Sequence, residues 1–262
     1  MVELVDIGVN LTHRSFNVDQ EKVIERAMAK GVSTMIVTGT SIRNSQEAQR
    51  LASRYPGKLY ATAGVHPHDS RNSNNETINI LRKLATNKEV VAIGECGLDY
   101  NRDFSPRPIQ DKCFEAQIEL ACELALPLFL HERDAHRRFV EILATHKNKI
   151  KAAVVHCFTG TDQELKNYLD MDFYIGVTGW ICDERRGKHL KDLINKIPLD
   201  RLMIETDAPF LTPRNMPNKP SDGRNEPAFL TYILGEIAKS VGKPYDEIAI
   251  ATTTTAKKFF NL

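Results

Sequence analysis

The chain has 262 residues, 42% hydrophobic and 26% charged, ordinary values for a soluble globular protein with a sizeable core. Its 35 Lys and Arg against 34 Asp and Glu leave a net charge of +1, which excludes the global basic field of proteins that coat duplex DNA. The five cysteines (Cys96, Cys113, Cys122, Cys157, Cys182) are odd in number and form no CxxC pair, arguing against a disulfide framework or a thiolate zinc site.

Apolar spacing predicts a strand over 4–9 and a helix over 19–30, the latter marked by Val23, Ile24, Ala27 and Met28 and stopped at Gly31. A strand over 32–37, a helix over 41–54 with Ser41 as its cap, and a strand over 59–65 continue the alternation. Next come a helix over 76–85, a buried strand over 90–93, a long helix over 109–126 and a strand over 128–130. A helix over 135–146, a strand over 152–155, a short helix over 163–169 and a strand over 173–177 follow. The last elements are a helix over 187–195, a strand over 201–204 and helices over 229–238 and 245–260. Eight strands alternating with helices and no break in composition predict an α/β fold, a (β/α)8 TIM barrel spanning residues 1–262 as one domain. An open doubly wound sheet is the competing architecture, but no GxGxxG or Walker loop is present to serve it. The N-terminal stretch lacks a basic, apolar leader and no run is long enough to span a bilayer, so a cytoplasmic, non-membrane protein is expected.

Four predicted strands end on groups that bind divalent metal: Glu95, His131, His156 and, after Ile204, the run Glu205-Thr206-Asp207. Barrel chemistry sits at the carboxyl ends of the strands, so these side chains are expected to converge. Each one alone reads more naturally as a structural hydrogen-bonding group, but burying four such groups at one barrel mouth without a cation or mutual hydrogen bonds is costly. Glu95, His131 and His156 are therefore the expected metal ligands, with Asp207 either a further ligand or the base that accepts a proton from water. His66, in Gly64-Val65-His66-Pro67-His68, is expected to contact water or phosphate at the metal; His68 is either part of the site or an exposed loop residue.

Basic residues follow the same strand ends. Arg133, Arg185 and Arg224 are the candidates for binding phosphate, because the guanidinium fork matches phosphate oxygens; Arg137, Arg138 and Arg214 read as solvated helix-face charges. Tyr100 and Trp180 are candidates for stacking an unpaired base, whereas Phe158 and Phe210 read as core caps. The proline-rich stretch 209–227 is the single long irregular loop, in the place of a functional lid.

Several runs carry a family resemblance: Gly64-Val65-His66-Pro67-His68, Ile93-Gly94-Glu95-Cys96-Gly97-Leu98-Asp99-Tyr100, Val155-His156-Cys157-Phe158-Thr159-Gly160, Gly176-Val177-Thr178-Gly179-Trp180, Ile204-Glu205-Thr206-Asp207-Ala208-Pro209-Phe210-Leu211 and Arg224-Asn225-Glu226-Pro227. Together they resemble the TatD-type metal-dependent deoxyribonucleases, over nearly the whole chain. The resemblance implies a TIM barrel of the metal-dependent hydrolase class, with Glu95, His131 and His156 as ligands and Asp207 as ligand or base. It implies a 3′–5′ exonuclease on single-stranded DNA, with RNA as a further substrate. One departure stands out: many relatives carry a His-x-His pair at the end of the first strand, whereas this chain reads Asp6-Ile7-Gly8-Val9-Asn10-Leu11. Gly8 offers no side-chain ligand and Asn10 a weak one, so the expectation is one ion, or a second held loosely, with magnesium favoured over manganese or zinc.

The expected partners are single-stranded DNA or RNA ends, with no membrane and no obligate protein partner. Two rival readings are an amidohydrolase acting on a small cyclic amide or lactone, against which the arginines argue, and a catalytically silent nucleic-acid-binding barrel.

Overall fold

A computed structural model describes residues 2–262. Eight strands form one sheet in strict chain order, β1 (Leu4–Val9), β2 (Val32–Val37), β3 (Leu59–Ala63), β4 (Val90–Asp99), β5 (Leu128–Arg133), β6 (Ala153–Val155), β7 (Tyr174–Val177) and β8 (Leu202–Ile204). The main helices are α1 (Gln20–Ala29), α2 (Ile42–Ser53), α3 (Asn75–Leu84), α4 (Arg107–Leu124), α5 (His136–His146), α6 (Asp162–Asp170), α7 (Lys188–Leu193), α8 (Leu230–Val241) and α9 (Tyr245–Phe260). This is the alternation of a (β/α)8 barrel. No helix among the described residues is long and apolar enough to cross a membrane. By internal packing the chain divides into two units, one of residues 1–36, 157–169 and 174–262, the other of residues 37–156 and 170–173.

In the second unit the core forms between parallel strands and the helices behind them. Ser41 caps α2 as its sequence position suggests, its side chain accepting from the Asn44 N–H at 3.2 Å. Phe114 of α4 and Phe139 of α5 are fully buried and stacked, with ring centroids 5.1 Å apart. Each such burial contributes about 2–3 kcal/mol. The same helix sends two polar side chains to the strand ends. Gln117 accepts from the Val65 N–H at 2.8 Å and donates to the Val65 C=O at 3.0 Å, while Gln110 accepts from the Asp99 N–H at 2.9 Å and donates to its C=O at 3.2 Å. Seven residues apart on a helix, the two glutamines share one face. They satisfy backbone groups just where the ends of β3 and β4 present His66 and Asp99.

β4 and β5 run further than apolarity alone suggests. Pairing continues through Gly97↔His131 and Leu98↔Glu132 to Asp99↔Arg133, so the polar residues after Ile93 and Leu130 are strand residues and not loop. The register shifts between Gly94 and Cys96, leaving Glu95 as the extra residue of a bulge; bulges re-aim a side chain, and here the residue re-aimed is a carboxylate. Gly97 has φ +147° and a Cβ there would fall 1.8 Å from the His131 carbonyl oxygen. Only glycine allows this close approach.

In the first unit β7 pairs with β8 in parallel, Ile175↔Leu202 through Val177↔Ile204. The end of β8 also meets β1: the Asp207 N–H donates to the Gly8 C=O at 2.9 Å and the Asn10 N–H to the Ala208 C=O at 2.8 Å. α9 packs along β1, where the Thr253 hydroxyl donates to the Glu3 C=O at 2.8 Å. Between β8 and α8, the proline-rich loop has its own anchors: Asn225 Nδ2 donates to the C=O groups of Thr206 at 2.9 Å and Phe210 at 2.6 Å.

The Gly97 contact gives a prediction. Gly97→Ala should lower stability by about 2–4 kcal/mol, because the added carbon meets backbone and not a movable side chain. Urea unfolding read by circular dichroism measures it; an unchanged midpoint would show that β4 and β5 are not held this close.

Candidate metal centre

The second unit gathers an acidic and imidazole cluster at the ends of β3, β4, β5 and β6. One oxygen of Glu95, Oε1, lies 2.8 Å from His156 Nε2, 3.0 Å from His131 Nδ1 and 3.3 Å from His66 Nε2. Glu95 and His156 are buried and His131 is nearly so. A second carboxylate continues the cluster: Asp99 Oδ2 is 2.7 Å from His68 Nε2 and 3.5 Å from His131 Nε2. The four expected residues of this unit, His66, Glu95, His131 and His156, are therefore brought together, and His68 joins them through Asp99.

Protonation follows from burial and neighbours. Burial works against ionising Glu95, but the surrounding histidines, His156 and His66 foremost, outweigh it and hold the carboxyl well below the usual range. Asp99 follows the same pattern: burial opposes its charge, yet contacts from His131 and His68 and the Arg102 N–H keep it ionised. Burial pushes His66 down to about 4, against the pull of Glu95, so this ring is neutral near pH 7. Its Nδ1 accepts from the His68 N–H at 3.1 Å, which leaves the ring proton on Nε2, facing Glu95. Burial also disfavours charge on His131, but Asp99 and Glu95 together raise its pKa.

Such a cluster fits a divalent cation. Donor atoms from His66, Glu95 and His131 all lie within 4.8 Å of one another. His131 Nε2 is buried and makes no hydrogen bond among the described residues, with Asp99 Oδ2 3.5 Å away, so this nitrogen is still open to a cation as a donor. Imidazole nitrogens with carboxylate oxygens are a donor set for zinc or manganese, and for magnesium when it retains water.

Asp207 lies in the first unit. It follows β8 in a left-handed conformation, φ +53°, and its Oδ1 accepts from Asn10 Nδ2 at 2.9 Å. Asn10, a weak ligand by its chemistry, is thus a hydrogen-bond donor to an acid. Just upstream, Asp6 is fully buried: its Oδ1 accepts from the Thr206 N–H at 2.9 Å and its Oδ2 from the Thr206 hydroxyl at 2.5 Å. Burial pushes the Asp6 carboxyl up to about 8, with the Thr206 and Gly8 hydrogen bonds opposing that rise. Glu205, also buried, accepts from the Cys157 N–H at 2.5 Å.

The cationic and aromatic candidates separate sharply. Arg133 is exposed at the end of β5, and Arg185 is 62% exposed with only a 3.6 Å approach to Asp183. Arg224 is different: its guanidinium donates to Asp19 Oδ1 and Oδ2 at 2.8 Å, to Glu226 Oε1 at 2.9 Å and to the Ser15 C=O at 2.7 Å, and it covers the Phe16 ring. These bonds consume the fork that the phosphate expectation assigned to substrate. Trp180 is half-buried with the Arg186 guanidinium 5.8 Å from its ring. The Tyr100 hydroxyl donates to Asp111 at 2.5 Å and the Arg107 guanidinium sits 4.5 Å over its ring, so one face is already covered.

Asp99 and Asp6 are not among the site residues that the sequence predicts. For Asp99 the signal is strand alternation: positions 95, 97 and 99 lie on one side of an extended strand, with glycine between two acids. Asp6 had no comparable signal, because a buried acid inside an apolar strand looks like an edge residue until its partner Thr206, far along the chain, is known.

With this geometry in place, similarity to known proteins can be read against it. The family described as TatD related DNase matches residues 5–261. A protein of Erwinia tasmaniensis named 3′-5′ ssDNA/RNA exonuclease TatD is 51% identical, covering 99% of this chain and 100% of its own length. Among solved structures, the TatD homologue YJJV of Escherichia coli K12 superposes with a TM-score of 0.89 at 29% identity, covering 99% of this chain and 98% of that one. A TatD family hydrolase of Entamoeba histolytica gives 0.88 at 26% identity, with 99% and 98% covered.

The Arg224 network yields a prediction with a definite sign. Asp19 is held well below its ordinary pKa, first by its hydrogen bond from Arg224, with burial opposing and Arg26 assisting. A depressed carboxyl contributes stability above its unfolded pKa and loses it as pH falls. Arg224→Ala should therefore destabilise the protein by about 1–3 kcal/mol at neutral pH. The gap from wild type should narrow as pH drops from about 4 toward 2. Urea midpoints across that range test this; a stable variant with impaired nucleic-acid binding would return Arg224 to substrate.

Proposed function

The chain belongs to the TatD related DNase family, and from that membership we propose that it is a metal-dependent exonuclease removing nucleotides from the 3′ end of single-stranded DNA or RNA. The observation that carries the reading is Glu95 Oε1 held among His156, His131 and His66 at the carboxyl ends of adjacent strands. Relatives of matching length named as such exonucleases support the substrate class. We take residues 1–262 as a single catalytic domain working in the cytoplasm, with nucleic-acid ends as its partner.

Glu95, His131 and His156 hold the cation in this reading, and Asp207 serves as a further ligand or as the base. When bound, a divalent cation supplies Lewis acidity toward a phosphoryl oxygen and lowers the pKa of water. Asp207, oriented by Asn10, accepts the proton released as water attacks phosphorus. The neutral His66 ring keeps a hydrogen-bond donor at the cluster without adding charge beside the cation. Arg133 and Arg185, exposed and with no bidentate carboxylate partner among the described residues, hold the phosphates. Trp180 remains a candidate for stacking, and Arg224 a loop anchor with few donors left to give.

Magnesium is the expected ion, and beside one carboxylate and two imidazoles it would keep bound water. Manganese and zinc accept imidazole more readily and are the alternatives. One ion, or a second held loosely, follows from Gly8 and Asn10 standing at the first strand end.

End-labelled oligonucleotides test the whole reading. Single-stranded DNA and RNA should shorten from the 3′ end, a blocked 3′ terminus should stop digestion, and chelator should abolish it until magnesium or manganese is restored. Glu95→Ala should cost at least about a hundredfold in kcat/KM. Digestion that survives both chelator and Glu95→Ala in a clean preparation would refute the mechanism, and turnover of cyclic amides without digestion would refute the substrate class.

A further inference from the structure

The loop from Tyr100 to Pro106, between β4 and α4, is short, polar and tightly tied. Asp99 Oδ1 accepts from the N–H groups of Asn101 at 3.0 Å and Arg102 at 2.8 Å, while the other oxygen of the same carboxylate holds His68. The Ser105 hydroxyl donates to the His68 C=O at 3.0 Å and accepts from the Arg71 N–H at 3.0 Å. Gln110 donates to the Ser105 C=O at 2.8 Å, and Arg107 bridges Asp103 and the Tyr100 C=O. Hydrogen bonds thus hold this loop on both sides of Phe104, at Asn101 and Arg102 before it and at Ser105 after it.

On that fixed loop stands an apolar ring that water does not favour. Phe104 is 50% exposed, whereas the other phenylalanines of this unit, Phe114, Phe129, Phe139 and Phe173, are buried. Its ring centroid is 4.7 Å from that of His68, the two planes inclined at 63°, and the His68 ring is in turn 4.3 Å from His66 of the candidate metal cluster. Two ring-to-ring steps thus lead from solvent to the candidate metal centre. Arg102, beside it on the loop, is exposed and has no ion pair among the described residues.

We propose that Phe104 is the stacking platform for the base at the 3′ end of the bound strand, positioning its phosphodiester at the cluster. An aromatic face next to a free cation is how proteins grip unpaired nucleotides without reading their sequence. The neighbouring Tyr100 is less available, because Arg107 already covers its ring and Asp111 takes its hydroxyl. Phe104 acts by positioning and takes no part in proton or metal chemistry. This deepens the exonuclease reading and rests on it: Asp99 would couple the platform to His68, so that base placement and cluster geometry share one support.

The test compares oligonucleotides that differ only in whether the 3′-terminal nucleotide carries its base. Wild-type enzyme should prefer the intact end by about tenfold or more in kcat/KM, the scale of one base–aromatic stack. Phe104→Ala and Phe104→Leu should lose about tenfold on the intact end, mainly through KM, and far less on the abasic end, so that the preference collapses. Phe104→Tyr should restore it. Urea midpoints verify that each variant is folded. A preference that survives Phe104→Ala, an equal loss on both substrates, or a wild-type enzyme indifferent to the terminal base would each overturn the proposal. Failure of the exonuclease reading looks different: wild-type enzyme would then shorten neither oligonucleotide from its 3′ end.

Discussion

A buried carboxylate is stable only when its charge is met, and in this chain Glu95 meets its charge with three imidazoles on a single oxygen. The second unit is arranged around that requirement. The bulge in β4 turns Glu95 out of the regular register, and Gly97 lets β5 approach closely enough to deliver His131. Gln117 fixes the backbone one residue before His66, and Gln110 does the same at Asp99. Apolar burial builds the walls; these polar clamps set the positions of the carboxylates and imidazoles of the cluster. Beside this cluster His131 Nε2 is buried and faces Asp99 Oδ2 at 3.5 Å.

The first unit is organised by a comparable economy. Asp6, Thr206 and Asn225 connect β1, the end of β8 and the proline-rich loop by hydrogen bonds to backbone and hydroxyl groups. Asp207 follows directly, in a left-handed backbone conformation and with Asn10 as its donor. Arg224 and Arg26 converge on Asp19 and Glu226, anchoring the end of the long loop to the start of α1. That loop is held by charge-assisted bonds at its C-terminal end.

Much of this could be read from the chain itself, for identifiable reasons. Strand and helix order followed from apolar spacing, because parallel strands buried on both faces read as continuous hydrophobic runs. Glu95, His131 and His156 were legible because each breaks such a run at its end. Strand β4 runs beyond its apolar residues to Asp99, because the polar Glu95 and Asp99 lie within its pairing with β5, which apolar spacing does not register. Arg224 looked like a phosphate ligand because its acidic partners Asp19 and Glu226 include one that lies far away in sequence, and a guanidinium fork serves carboxylate as well as phosphate. Phe104 carried no sequence signal at all; a single phenylalanine is expected in the core, and only its exposure beside His68 distinguishes it.

The central claim is that Glu95 and its imidazoles form a cation site, and anomalous diffraction from crystals grown with manganese tests it most directly. A strong anomalous peak should lie within about 2.2 Å of a Glu95 oxygen and of ring nitrogens from the surrounding histidines. An otherwise well-ordered crystal with no peak there, Glu95 Oε1 still hydrogen-bonded to the same rings, would mean that the cluster neutralises itself and that the site is not a metal centre.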